Sequence, residues 1–161
     1  MKTFISICLL FLFIQAHSQQ VTKNELSDYE SVVALVNSKD FSFTANHALP
    51  QNGPTIDLFS NPNELTIKGD SVFCYMPFFG RAYNIDYNDQ GGFHFSGIIE
   101  NYKKIEKAQK KKIEIRFNAQ SRSDSYQFHL TISGGKSSVL TILSSKRASI
   151  SYWGEINEPK K

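Results

Sequence analysis

The chain has 161 residues, with 18 Lys and Arg against 15 Asp and Glu, for a net charge of +3. So small a surplus argues against a broad cationic surface, and nucleic acid is not an expected partner. Two cysteines and four histidines leave little material for a disulfide framework or a metal centre.

Residues 1–18 read MKTFISICLLFLFIQAHS. Lys2 supplies a positive start, an apolar run extends from Phe4 to Ile14 around Ser6, and Ala16 and Ser18 place small residues where a signal peptidase reads. The run is short of the roughly 20 residues a bilayer span needs, so the segment reads as a signal peptide and not an anchor. Cys8 lies inside the run and no cysteine stands at the cleavage point, so a periplasmic or secreted protein without a lipid anchor is expected. Cleavage after Ser18 leaves 161 − 18 = 143 residues, the length of one domain, with no transmembrane segment. Lys2 leaves with the signal, so the charge becomes 17 − 15 = +2, and Cys74 remains as the only cysteine. An internal disulfide is then impossible even in an oxidising compartment.

Residues 19–38 carry Leu26, Tyr29, Val33 and Val36 at helical spacing, with Thr22 or Asn24 available as a cap. One amphipathic helix is predicted here, packing on a sheet. From residue 39 to 156 the period is two. Phe41, Phe43 and Ala45 share a face; Leu65 and Ile67 alternate; Val72, Cys74 and Met76 oppose Phe73 and Tyr75. Phe93 and Phe95 flank His94. Ile113, Ile115 and Phe117 alternate with Glu114 and Arg116, and Tyr126, Phe128, Leu130 and Ile132 continue the pattern. SGGK at 133–136 is a hairpin turn signal, followed by Val139, Thr141 and Leu143, then Ile150 and Tyr152. Seven or eight short strands at hairpin spacing predict a mostly β, α+β domain: one helix followed by a curved antiparallel sheet, a partial barrel or a sandwich. Residues 157–161 form a polar tail.

MPFFGRAY at 76–83 is the most distinctive stretch. Pro77 has no N–H to donate and is expected to end the strand before it, and Gly80 allows a backbone angle that other residues avoid. In an extended segment Phe78 and Phe79 point to opposite sides. Arg81 is placed to lie on an aromatic face. The stretch reads either as an aromatic plug at a bulged sheet corner or as a contact surface built from Phe78, Phe79, Arg81 and Tyr83. Together with Gly91, Gly92 and Phe95, and with SYWG at 151–154, MPFFGRAY resembles domain-of-unknown-function family 4251, small exported proteins of Bacteroidota. The resemblance spans roughly residues 40–156 and implies no activity.

Residues that carry chemistry are scattered. GDS at 69–71 resembles the start of a hydrolase nucleophile block, but no late Asp precedes His129 at three-residue spacing, and Gly-Asp between strands is turn chemistry. GGKS at 134–137 lacks the earlier glycine of a phosphate loop, since position 130 is Leu130. DYNDQGG at 86–92 lacks a carboxylate at the twelfth loop position, which is Gly97, so it reads as a turn and not a calcium loop. His47, His94 and His129 have no metal-ligand spacing, and no metal or cofactor is expected. Cys74, inside VFCYM, is expected to be buried and inert. The six lysines of 103–112 read as a charged edge that blocks unwanted strand pairing. Asp86, Arg81 and His94 are the first suspects for an enzyme, but no acid–base or nucleophile–base pair is evident, and a non-enzymatic function is expected. The 21 − 3 = 18 aromatic residues left after cleavage exceed what a minimal core needs. They point to a binding module for a small apolar molecule or lipid. The other reading is an envelope-protein interaction domain using the MPFFGRAY corner.

Overall fold

The computed structural model describes residues 28–84 and 91–159. A helix, α1, covers 28–38, so the predicted helix is found over its second half and residues 19–27 lie outside the described part. Ten strands follow: β1 (Asp40–Pro50), β2 (Ile56–Asp57), β3 (Glu64–Lys68), β4 (Ser71–Pro77), β5 (Gly92–Ile98), β6 (Glu100–Lys107), β7 (Lys112–Gln120), β8 (Ser125–Ser133), β9 (Ser137–Ser144) and β10 (Ile150–Asn157). The two beyond the sequence expectation are the two-residue β2 and the lysine-rich β6, whose composition hides its alternation. A 3₁₀ turn, Ala108–Lys110, closes the β6–β7 hairpin.

All pairings are antiparallel, in the order β5-β4-β3-β1-β10-β9-β8-β7-β6, with β2 attached to β1. The sheet curls until its ends approach, nearly closing a barrel. Of the shapes left open by the sequence, the barrel is the one adopted. Each strand sends alternate residues inward, as a period of two requires. Phe41, Phe43, Leu65, Ile67, Val72, Met76, Phe93, Ile113, Ile115, Phe117, Phe128, Leu140, Ile142, Tyr152 and Ile156 are all essentially inaccessible. The inward rings pack on one another: Phe117 on Phe128 at 4.7 Å, Phe95 on Tyr126 at 4.3 Å, both nearly parallel. Stacked and edge-on pairs of this kind stabilise beyond simple area burial.

The helix closes one end. Tyr29, Val32 and Val36 recur at helical spacing and are buried against the barrel. The Tyr29 hydroxyl donates to Glu106 at 3.2 Å, and Lys104 donates to Asn37, which ties α1 to β6. Lys39, at φ +52, ends the helix, and its carbonyl accepts the Gly69 N–H of the β3–β4 turn at 2.7 Å. The SGGK turn links β8 to β9 as predicted, with Gly134 at φ +70.

β5 and β6 stand at opposite ends of the sheet yet follow each other in sequence, with Ile99 alone between them. Eight antiparallel steps separate them, so they run in the same direction. Residues 92–107 are therefore one long bent strand that pairs with β4 through its first limb and with β7 through its second. Asn101, at φ +54, and a register shift between Glu100 and Lys103 mark the bend.

Candidate functional site

The MPFFGRAY segment lies at the barrel end away from α1. The β4 ladder continues through Pro77, opposite Gly92, one residue farther than the sequence suggested. The Pro77 carbonyl accepts the Tyr152 hydroxyl at 2.6 Å, tying the last strand to this corner. Phe78 and Phe79 are both half-buried against the core. The Phe78 ring folds back over Gly80, where a Cβ would stand 2.9 Å from its Cζ. The cation over Phe78 is Arg147, whose guanidinium lies 5.1 Å from that ring and 5.6 Å from Phe93. Arg81 is exposed, and its carbonyl accepts the Ala148 N–H at 2.9 Å. Ala82 bridges to Arg147, and Tyr83 is 65 % exposed. The corner thus divides: Phe78 and Phe79 plug the barrel, while Arg81 and Tyr83 face solvent. Asp86 lies outside the described residues, as does the turn it belongs to up to residue 90.

Cys74 points inward and is 4 % exposed, and burial pushes its thiol well above the usual range, the reverse of an activated nucleophile. Burial likewise raises Tyr152 and carries Tyr126 to about 12. His129 sits on the outer face of β8, lowered first by burial and then by Arg116. His94 stacks on Tyr75 at 4.4 Å, and His47 lies on β1 between Phe59 and Trp153. Among the described residues, no three His, Cys, Asp or Glu side chains gather closely enough to hold a metal ion.

The outer sheet face carries an arrangement that sequence reasoning missed. Register places Glu114, Thr131, Val139, Trp153, His47 and Asp57 directly opposite one another across six successive strands, β7 to β2. At about 4.8 Å per strand the row spans roughly 24 Å. Its centre is aromatic. The His47 ring meets Trp153 edge-on at 6.4 Å and Phe59 edge-on at 5.5 Å. Trp153 is 49 % and Phe59 70 % exposed.

Each member is held by local structure. Residues 41, 43 and 45 point inward, so simple alternation would send His47 inward too. The register shift between Ala45 and His47 inserts Asn46 as a bulge, turns Ala48 inward and puts His47 outside. The bulge needs close backbone contact, which Gly154 permits: a Cβ there would stand 2.0 Å from the Thr44 carbonyl oxygen. Phe59 is aimed by its neighbours. Leu58 is buried and its N–H bonds to the Asn46 carbonyl at 2.8 Å, while Asp57 Oδ1 accepts the Phe59 N–H at 2.8 Å. The available signal was the phase of SYWG: with Tyr152 inward, Trp153 must point out.

A groove of about 870 Å³ runs between α1 and the outer face of β3 and β4, lined in part by Ala34, Leu35, Thr66, Lys68, Phe73 and Pro159. Among the described residues, no helix is long and apolar enough to cross a membrane.

The comparisons agree with this architecture. The family model described as a domain of unknown function, DUF4251, matches residues 23–156. A crystal structure of a DUF4251 family protein from Bacteroides eggerthii DSM 20697 superposes with a TM-score of 0.62 at 21 % identity, covering 82 % of this chain and 88 % of that one. No curated protein matches the chain. The match from residue 23 to 156 places this chain in the DUF4251 family.

Proposed function

We propose that the protein is an exported, non-enzymatic binding module that docks a partner protein of the cell envelope through the outer aromatic row. The observation that carries this reading is the half-exposed Trp153, held between Val139 and His47 with Phe59 alongside. Large rings fixed by cross-strand neighbours offer contact area at little entropic cost, which is why Trp and Tyr dominate interface hot spots. The interior rings, by contrast, are occupied with one another. Export rests on the sequence pattern of residues 1–18. The non-enzymatic reading is supported by the buried, upward-shifted Cys74 thiol and by the separation of the three histidines.

A photo-reactive amino acid placed at 153 or 59, and for comparison at 81 or 83, tests this in living cells. The expected result is one discrete adduct from positions 153 and 59. Adducts from 81 and 83 alone would move the surface to the MPFFGRAY corner, and none from any of the four would overturn the docking reading.

A second reading, a small apolar molecule or lipid, is favoured by the groove beside α1, where Leu35, Ala34 and Phe73 supply apolar lining. Binding of a fluorescent fatty acid, lost in Phe73→Asp and kept in Trp153→Ser, would establish it. No binding, or equal binding by both variants, would remove it.

A further inference from the structure

The bent strand leaves one line along the barrel that no described backbone ladder crosses. β5 pairs only with β4, and β6 only with β7. Beside the β5 limb, closure toward β7 and β8 is made by side chains. Phe95 stacks on Tyr126 at 4.3 Å and tilts toward Phe128 at 6.2 Å, and Phe93 meets Tyr126 edge-on at 5.8 Å. At the bend, a Cβ on Gly97 would stand 3.8 Å from the Ala119 Cβ and 2.9 Å from the Gln120 carbonyl oxygen. Directly behind this line, paired with Phe95 across β4 and β5, is Cys74.

We propose that this seam is a door: the β5 limb separates from β7 and β8 under native conditions, with the Phe95–Tyr126 stack as its latch, while the rest of the barrel stays folded. Two neighbouring strands elsewhere in the sheet share a hydrogen-bonded ladder, whose loss is costly in a buried setting. Parting the seam instead breaks side-chain contacts, the Phe95–Tyr126 stack and the Phe93–Tyr126 edge contact among them. Elements held by few backbone bonds are those that open below the global unfolding free energy. The bend at Ile99 and Asn101 is the hinge, because the second limb stays fixed by its ladder to β7 and by the Tyr29 and Lys104 contacts with α1.

Cys74 is a built-in reporter. In a Cys8→Ser chain it is the only thiol, and its alkylation by a small maleimide is followed with increasing urea beside global unfolding of the same sample. The expected labelling in the absence of urea is at least ten-fold faster than global unfolding allows, with a shallower urea dependence. Phe95→Leu should speed labelling about ten-fold further relative to that variant's own global unfolding. Tyr29→Phe, which acts on the fixed limb, should leave it unchanged. Labelling that follows global unfolding with the full urea slope in the Cys8→Ser and Phe95→Leu chains would overturn the proposal. So would equal acceleration by Tyr29→Phe and Phe95→Leu.

Discussion

The side-chain amide of Asn63 holds both backbone polar groups of Ala45: its Oδ1 accepts the Ala45 N–H at 2.7 Å, and its Nδ2 donates to the Ala45 carbonyl at 3.0 Å. Both residues are buried, and the same amide nitrogen also donates to the Asn61 carbonyl. Ala45 stands at the edge of the bulge, where β1 leaves its register with β10. Asn63 thus replaces a missing stretch of ladder, and through the bulge it sets the outward direction of His47 beside Trp153.

Asn63→Ala strands a buried N–H and a buried carbonyl, each costing about 1–3 kcal/mol when left unpaired. A loss of roughly 2–4 kcal/mol in urea unfolding is expected. Trp153, the only tryptophan in the chain, should report the local change as an altered emission maximum in the folded state. A variant as stable as the parent would show that the bulge does not depend on this amide.

Gly154→Ala is expected to be far worse than alanine at a turn glycine. At Gly154 the added carbon would meet the Thr44 carbonyl at 2.0 Å and Ala45 Cα at 2.7 Å, both backbone atoms that cannot swing away. At Gly69, φ +59 with open space around it, the cost is only that of the left-handed backbone, about 1–2 kcal/mol. Thermal melts of the two variants should separate clearly, with Gly154→Ala unfolded or strongly destabilised.

The acid limb of stability should depend on Glu114. Hydrogen bonds from Lys107 at 2.8 Å and from Lys112 lower its carboxyl to about 2 in the folded protein, against an ordinary value of 4.5. A folded-state value below the unfolded one gives stabilisation that is complete above the ordinary value and fades as pH falls toward 2. Glu114→Gln should therefore weaken the decline of urea stability between about pH 4.5 and 2. An identical decline in parent and variant would place the acid sensitivity elsewhere.

The alkaline limb has the opposite sign. Burial raises Tyr126 to about 12 and also raises Tyr152, Tyr102 and Tyr29 above the ordinary 10.0. An acid whose folded value is raised leaves stability intact below 10 and removes it as pH climbs further, because only the unfolded chain ionises there. Tyrosinate absorbance should lag behind that of the urea-unfolded chain and rise sharply with unfolding. Tyr126→Phe should soften the fall between pH 10 and 12.

The β class, the helix before the sheet, the SGGK hairpin and the inward faces of β4, β7 and β8 were legible because alternation is a local property. The barrel was not, since a sandwich shows the same period and only the pairing of β1 with β10 and the shared bent strand decide. The lysines of 103–112, read as a charged edge, conceal a strand in which Tyr102 faces inward and Lys104 reaches α1. In MPFFGRAY the plug role of Phe78 was foreseeable from Pro77 and Gly80. Its cationic partner was not, because Arg147 arrives from 66 positions downstream of Arg81 (147 − 81). The row through Trp153 depends on six strands in register and on one bulge, and neither is written in any single segment.

The position of β1 also governs the order of assembly. It lies between β3 and β10, and β10 is the last strand among the described residues. Phe43 finds Leu65 after 65 − 43 = 22 residues, but Ile156 only after 156 − 43 = 113. Contacts so distant in sequence make for slow, late-closing folding, on the scale of milliseconds to seconds for β domains of this kind. A chain cut short before Ser137 keeps the bare side of its central strand with no partner to cover it. Wholeness of the C-terminus, more than the quality of any hairpin, then decides whether this protein folds or aggregates.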